Sequence, residues 1–365
     1  MRVLKNQFCL KTGDEKGIQT LKSFFLDNYD SYIETDSQKS SLGRFFDKIN
    51  EMEATRNLKK LSKKDIGIAG GKGASLGEIA RAGIPVPPGF VILAGAFDRF
   101  LEETDINVEL DSIIKKINYK DINSVDAASN KIRDLIMDAQ FPDDLAKKVK
   151  VEFSKLKSKY AAVRSSATAE DSSVASWAGE LESYLNTSRS ILIRNIKKCW
   201  ASLFTPRAIF YRFENKLHTS KVSVAVVVQK MVQSKVSGIC FTVHPVTENN
   251  NQMVIEAGYG LGEAIVGGVI TPDSYVVDKK NWAIIDTNIS RQKIMVVKSG
   301  SGTKTVPITK SKQSNQKLSN KQIITLSKIC REIEKHYNYP QDIEWAMDGN
   351  NKFYIVQSRP ITTLK

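Results

Sequence analysis

The residues with the clearest chemical content stand near the end of the chain: Asp342, Glu344, Gln357 and Arg359, in the tracts DIEW and QSRP. Three oxygen-bearing groups beside a guanidinium suit a magnesium ion that bridges nucleotide phosphates. Asp348, Gly349, Asn350 and Asn351 between the tracts signal a hairpin turn. A turn centred on Gly349 and Asn350 pairs Met347 with Lys352, Glu344 with Ile355 and Asp342 with Gln357. Opposed residues share a face, so this register predicts that Asp342, Glu344 and Gln357 project together, with Arg359 on the same side. A solvent-facing hairpin with a charged edge is the other reading of this segment.

Three further tracts carry chemistry. Lys72 follows Gly70 and Gly71 at the start of an expected helix, where backbone amides, the helix dipole and an ammonium group converge on one anion-sized position. The spacing is not that of a Walker A loop, and a purely structural glycine turn is the alternative. Arg164, at the end of a short apolar run and followed by Ser165 and Ser166, offers a planar fork for a phosphate; a capped helix start with a surface ion pair is its plain reading. The tract GYGLGE at 258–263 follows an expected strand but lacks the spacing and the βαβ setting of a dinucleotide fingerprint. It reads as a glycine-rich loop lying against phosphates.

The elements that must position these groups follow from periodicity. Residues 1–60 are polar and mostly helical in pattern, and 35–41 interrupt them. A helix opens at Gly70, with Leu76, Ile79 and Ala80 on one face, and ends at Gly83 before Pro85, Pro87 and Pro88. Residues 186–217 read as two helices, the second capped by Thr205 and Pro206. Six strands are expected at 222–232, 238–243, 252–257, 274–278, 282–286 and 293–297, then one amphipathic helix at 320–336. The fold class is α+β, two lobes with a cleft between them: 61–220 holding Lys72 and Arg164, and 221–365 holding Gln229, Glu344, Gln357 and Arg359.

Composition narrows the function classes. The chain has 365 residues, 41% of them hydrophobic, and no apolar run approaches the ~20 residues of a membrane helix. Residues 1–13 lack an apolar signal core, so a cytoplasmic location is expected and no membrane partner. Cys9, Cys199, Cys240 and Cys330 are scattered and read as reduced structural thiols, and three histidines are too dispersed for a metal centre. The net charge of +14 is concentrated in 291–335, where eleven Lys or Arg face two acids. That stretch has no interleaved aromatics, which argues for a solvated basic surface and against a nucleic-acid partner.

Taken together, five tracts resemble the N-terminal nucleotide-binding domain of phosphoenolpyruvate synthase and pyruvate phosphate dikinase, an ATP-grasp module also found in rifampicin phosphotransferases. They are GGKGASLGEIARAGIPVPPGFVI, AVRSSATAEDSSVASWAGELESYLN, QKMVQSKVSGICFTVHPVT, IEAGYGLGEAIVGGVITPDSY and DIEWAMDGNNKFYIVQSRP, in the family's order across 61–364. The resemblance implies that Lys72, Arg164 and Arg359 hold ATP phosphates. It implies that Gln229, Met231 and Val232 form the hinge around the adenine, and that Glu344 and Gln357 bind Mg2+. Trp177, Glu180 and Glu248 depart from the family pattern, in loops that would close over the phosphates.

Full-length relatives pass a phosphoryl group to a histidine on a swivelling domain and then to pyruvate in a barrel. Neither of these lies in the present sequence. The expectation is therefore a phosphotransferase module that donates from Mg-ATP to a histidine on a separate phosphohistidine-domain and pyruvate-binding partner. His244 is expected to be a packing or hydrogen-bonding residue and not that phosphocarrier. The rival expectations are a phosphotransferase for another acceptor and a nucleotide-sensing subunit that docks a partner through residues 1–60.

Overall fold

Short apolar runs bounded by Gly, Pro, Asn and Asp become antiparallel strands, sorted into two larger sheets and one hairpin. A computed structural model describes residues 53–168, 182–215 and 223–362. The helices expected before residue 53, Cys9, Trp177 and Glu180 lie outside them. The chain divides into the compact units Met1–Ala54 and Thr55–Lys365, and the elements below belong to the second.

The first sheet has the order β1-β2-β5-β3-β4, from β1 (Thr55–Asn57), β2 (Gly89–Ile92), β3 (Ala161–Ala167), β4 (Ser183–Thr187) and β5 (Val224–Lys230). Helix α1 (Ile66–Arg81) packs on β3 and β5 and also touches the last strand of the second sheet. Helices α2 (Ala94–Glu103), α3 (Ile106–Lys115), α4 (Ile122–Asp138), α5 (Asp143–Lys155), α6 (Leu192–Ala201) and α7 (Pro206–Glu214) complete this half. Here Trp200 stacks on Phe141, with ring centroids 5.3 Å apart, beside Phe97 and Phe100. Helices α2 and α6 contact β5 as α1 does, so the run Val224, Ala225, Val226, Val227, Val228 is fully buried and shows no alternation.

The second sheet has the order β13-β12-β6-β7-β8-β9, from β6 (Val236–Phe241), β7 (Gln252–Tyr259), β8 (Asp273–Asp278), β9 (Ile284–Asn288), β12 (Gln341–Met347) and β13 (Phe353–Pro360). A short helix, α8 (Glu263–Val266), follows β7, and β10 (Ile294–Ser299) pairs only with β11 (Gly302–Pro307). Helix α9 (Asn320–Tyr337) covers one face of the sheet, burying Ile323, Leu326, Cys330 and Ile333 against Cys240, Ile255, Tyr275 and Ile343. Its start is a reciprocal cap between Ser319 and Gln322, and its end is Asn338 at φ 61°.

Several expectations change at this level. Residues 55–57, grouped with the helical extension, pair as a strand with β2. Strand β5, grouped by sequence with 221–365, is hydrogen-bonded between β2 and β3. The helix expected from 186 starts at Leu192, because Asn186 and Thr187 belong to β4; the second one is capped as expected, with Thr205 Oγ1 accepting from Ala208 N at 3.2 Å. Strand β11 was not anticipated: its Lys304 and alternating threonines carry too little apolar signal.

The C-terminal hairpin differs in register, with consequences for chemistry. The loop takes in residues 348–352, so Met347 pairs with Phe353, and Trp345 pairs with Ile355. Val356 is then an extra residue, a β-bulge, after which Glu344 pairs with Gln357 and Asp342 with Arg359. Strand alternation would otherwise have left Gln357 and Arg359 on the face of Ile355, which is buried against the core. One inserted residue moves them to the side of Glu344 and Asp342.

Cys199, Cys240 and Cys330 are buried free thiols. Of the eleven cations in 291–335, nine are exposed; Lys317 is instead buried, its Nζ 2.8 Å from Asp273 Oδ1. No helix among the described residues is long and apolar enough to cross a membrane.

Candidate functional site

Construction of the site starts at a break in α1. Gly70, at φ 68° and ψ 169°, interrupts the helix so that Gly71, Lys72 and Gly73 form a new N-terminus. A side chain at Gly70 would meet Ser166 O at 2.3 Å, so both conformation and close approach require glycine. Ser166 splices the break: its hydroxyl donates to Ala69 O at 2.8 Å and accepts from Gly73 N at 3.1 Å. Both are buried bonds, made across to β3. Ser166 was quoted in the sequence only as a neighbour of Arg164; nothing in its local pattern reveals that it caps a helix 93 residues away.

Arg164 enters from β3 and reaches the second sheet. It is 8% exposed. Its Nη1 donates to the carbonyl of the bulged Val356 at 2.5 Å, and its Nη2 donates to Gln357 Oε1 at 2.6 Å and to Glu344 Oε2 at 3.3 Å. The bulge therefore does two things: it turns Gln357 toward Glu344, and it presents the Val356 carbonyl as acceptor for the guanidinium. Of the five N–H donors of a guanidinium, three are engaged with protein. Arg359 is held by Asp342, with Nε at 2.8 Å and Nη2 at 2.7 Å from Oδ2.

The opposite end is built from the close of β5. Gln229 is 2% exposed and its Nε2 donates to Pro87 O at 3.2 Å. Lys230 N donates to Pro88 O and Met231 N to Tyr160 O, at 2.8 and 3.1 Å. Pro87 and Pro88, which follow α1, thus provide two of the three carbonyls that fix this segment, and Tyr160 provides the third.

A cavity of about 540 Å³ lies among these parts. Lys72, Arg164, Gln229, Met231, Val232, Glu344, Gln357 and Arg359 all line it; Asp342, singled out from the sequence as a third oxygen-bearing group, is not part of the lining and is paired with Arg359 instead. The wall also includes Ser183, Leu185, Ser237, Leu261 and Glu263, which sequence reading had not selected although each falls inside a tract that carried the resemblance. Leu261 and Glu263 lie in the glycine-rich loop, which does border the cavity.

Two neighbouring groups complete the electrostatics. Glu256 of β7 lies in one cross-strand row with Gln357, Glu344 and Ile239. Burial, followed by the charge of Asp342, raises the pKa of its carboxyl above the ordinary value. His244 is engaged locally, its Nδ1 accepting from Val246 N at 3.3 Å and Thr247 N at 3.2 Å. Glu248 adopts φ 56° in the same turn, the left-handed region that glycine enters at least cost.

Comparison with known proteins agrees with this architecture. The pyruvate phosphate dikinase AMP/ATP-binding domain matches residues 66–365. A probable phosphoenolpyruvate synthase of Methanocaldococcus jannaschii is 46% identical over 316 residues, covering 84% of this chain and 26% of that protein. The phosphoenolpyruvate synthase of Pyrococcus furiosus is 40% identical over 355 residues, covering 84% of this chain and 44% of that one. A rifampicin phosphotransferase of Bacillus subtilis is 41% identical over 312 residues, covering 84% and 36%. The chain spans less than half the length of these relatives. With the match covering most of the chain and all five tracts inside or at the edge of it, the chain belongs to the pyruvate phosphate dikinase AMP/ATP-binding domain family.

Proposed function

We propose that the cavity binds Mg-ATP in an ATP-grasp module of two lobes, and that the module donates phosphoryl to a histidine on a separate swivelling domain. The overall reaction is that of a phosphoenolpyruvate synthase: ATP, pyruvate and water give phosphoenolpyruvate, AMP and phosphate. A cytoplasmic setting belongs to the same proposal. The observation that carries it is the convergence of an ammonium, two guanidiniums, a carboxylate and an amide on one cavity lined from both sheets.

In this reading the adenine lies along Gln229, Met231 and Val232, and Lys72, Arg164 and Arg359 hold the triphosphate. Glu344 and Gln357 would hold Mg2+, which would neutralise phosphate charge and orient it for in-line displacement. The fit is favourable: Arg164 already gathers one oxygen of each residue, at 3.3 and 2.6 Å. The remaining ligands of the ion would come from phosphate oxygens. Asp342 fixes the direction of Arg359, and Arg164 keeps two donors for phosphate while bracing the carboxylate and amide. Catalysis then rests on positioning and charge.

Calorimetric titration with ATP tests the binding step: affinity should depend on Mg2+, and Lys72→Ala or Arg359→Ala should weaken it by about 1.5–3 kcal/mol. Incubation with Mg-ATP and a phosphohistidine-domain protein from the same source should yield AMP and phosphoprotein. Tight binding without turnover under any pairing would reject the phosphotransferase reading in favour of a sensor.

A further inference from the structure

A second cavity, about 260 Å³, adjoins the first, and Ser183, Leu185 and Glu263 line both. One wall is α6, which presents Arg194 and Lys198; the lip is the β10–β11 turn, with Gly302 and Thr303. Arg194 and Lys198 stand one helical turn apart, where like charges repel. Neither has a carboxylate counter-ion among the described residues. Lys198 Nζ lies 5.1 Å from the centre of the Tyr184 ring, a contact that leaves its charge uncompensated.

The lip is braced independently of any ligand. Asn186 Nδ2 donates to Gly302 O at 3.0 Å, Gln233 Nε2 donates to Asn186 Oδ1 at 2.6 Å, and Ser301 Oγ donates to Ser188 Oγ at 2.9 Å. Asn195, the remaining polar group of the α6 wall, is engaged with Thr187 Oγ1 at 2.8 Å. What the cavity offers a guest is therefore a guanidinium fork, an ammonium and the hydroxyls of Ser183 and Thr303, with Glu263 the only acid among the described lining residues. That set supplies the charged and neutral donor types that a phosphoryl oxyanion takes up. Its volume suits a phosphate or a small phosphate ester, below the ~300–1,000 Å³ of sites for larger ligands.

We propose that this second cavity is an anion site for a phosphoryl-bearing small molecule, and that its occupancy weakens nucleotide binding in the first cavity through their common wall. The proposal extends the ATP reading but does not need it to be correct in its first part. Two anions on either side of Ser183, Leu185 and Glu263 repel one another, and linkage makes the effect equal in both directions.

The test uses inorganic pyrophosphate as probe, titrated at fixed free Mg2+ into the full chain saturated with a non-hydrolysable ATP analogue. One saturable pyrophosphate site is expected, weakened at least tenfold in the double variant Arg194→Ala/Lys198→Ala. Saturating pyrophosphate should lower analogue affinity two- to tenfold in the parent chain and leave it unchanged in the double variant. Absence of saturable binding to the loaded protein, or an unaltered isotherm in the variant, overturns the proposal. So does complete loss of pyrophosphate binding on nucleotide saturation, which would place it in the first cavity. The Arg194→Gln/Lys198→Gln pair, with thermal melts, separates loss of the site from loss of the fold. If the analogue itself fails to bind, the ATP reading falls, and the unloaded parent and variant isotherms still decide this one.

Discussion

Replacing Ser166 by alanine tests whether a residue that lines no part of the cavity sets its affinity. The side chain is fully buried, and its hydroxyl is the partner of both Gly73 N and Ala69 O across the break at Gly70. Alanine leaves a buried donor and a buried acceptor unpaired, at about 1–3 kcal/mol each, or roughly 2–6 kcal/mol in total. For a unit of this size that corresponds to a fall in Tm of about 4–12 °C. The loss also loosens the N-terminus that carries Lys72, so ATP affinity should fall about three- to tenfold, as befits a weakened but not removed charged contact. Thermal melts and calorimetric titration read the two effects. Ser165→Ala is the control: Ser165 Oγ donates to Glu182 O at 2.7 Å and lies 3.1 Å from Ser202 Oγ, so its loss should lower Tm without changing ATP affinity. A Ser166→Ala chain with Tm within 1 °C and affinity within twofold of the parent would refute the splice argument, and equal affinity losses in both variants would refute its specificity.

Arg164→Lys keeps a charge but cannot reach Val356 O and Gln357 Oε1 as a fork, so ATP affinity should fall about 10- to 100-fold, or about 1.5–3 kcal/mol; a titration within threefold of the parent would contradict this role. Gly70→Ala combines a φ of 68° with a 2.3 Å clash on Ser166, and a Tm loss of less than about 4 °C, equivalent to about 2 kcal/mol, would contradict that geometry. Glu256→Gln tests the raised carboxyl. An acid whose pKa is higher folded than unfolded costs stability as pH rises from the unfolded value through the folded one, and costs nothing below both. The glutamine variant should therefore melt higher than the parent near pH 8 and equally near pH 4. A stabilisation confined to acid pH would reverse the assignment.

Residue types and their order along the chain were enough to name the chemistry: cations, a carboxylate and an amide suited to a metal-chelated triphosphate, in tracts whose sequence identifies the family. Helix and strand periodicity also sufficed for α9, for most strands after residue 222 and for the capped start of α7, because each rests on local patterns of burial and capping. Three features did not follow from sequence. The bulge at Val356 depends on how β12 and β13 share a core face with α9, and one residue of slip there decides whether Gln357 and Arg359 join Glu344 or the core. The trans cap from Ser166 needs β3 and α1 to pack together before its hydroxyl has a partner. The place of β5 at the centre of the first sheet, which makes Gln229 a neighbour of Lys72 and Arg164 in one wall, is a strand-pairing choice made with β2 and β3, segments that lie far from it in sequence. Local propensity encodes each part of the site, but long-range pairing sets the direction in which every one of its side chains points.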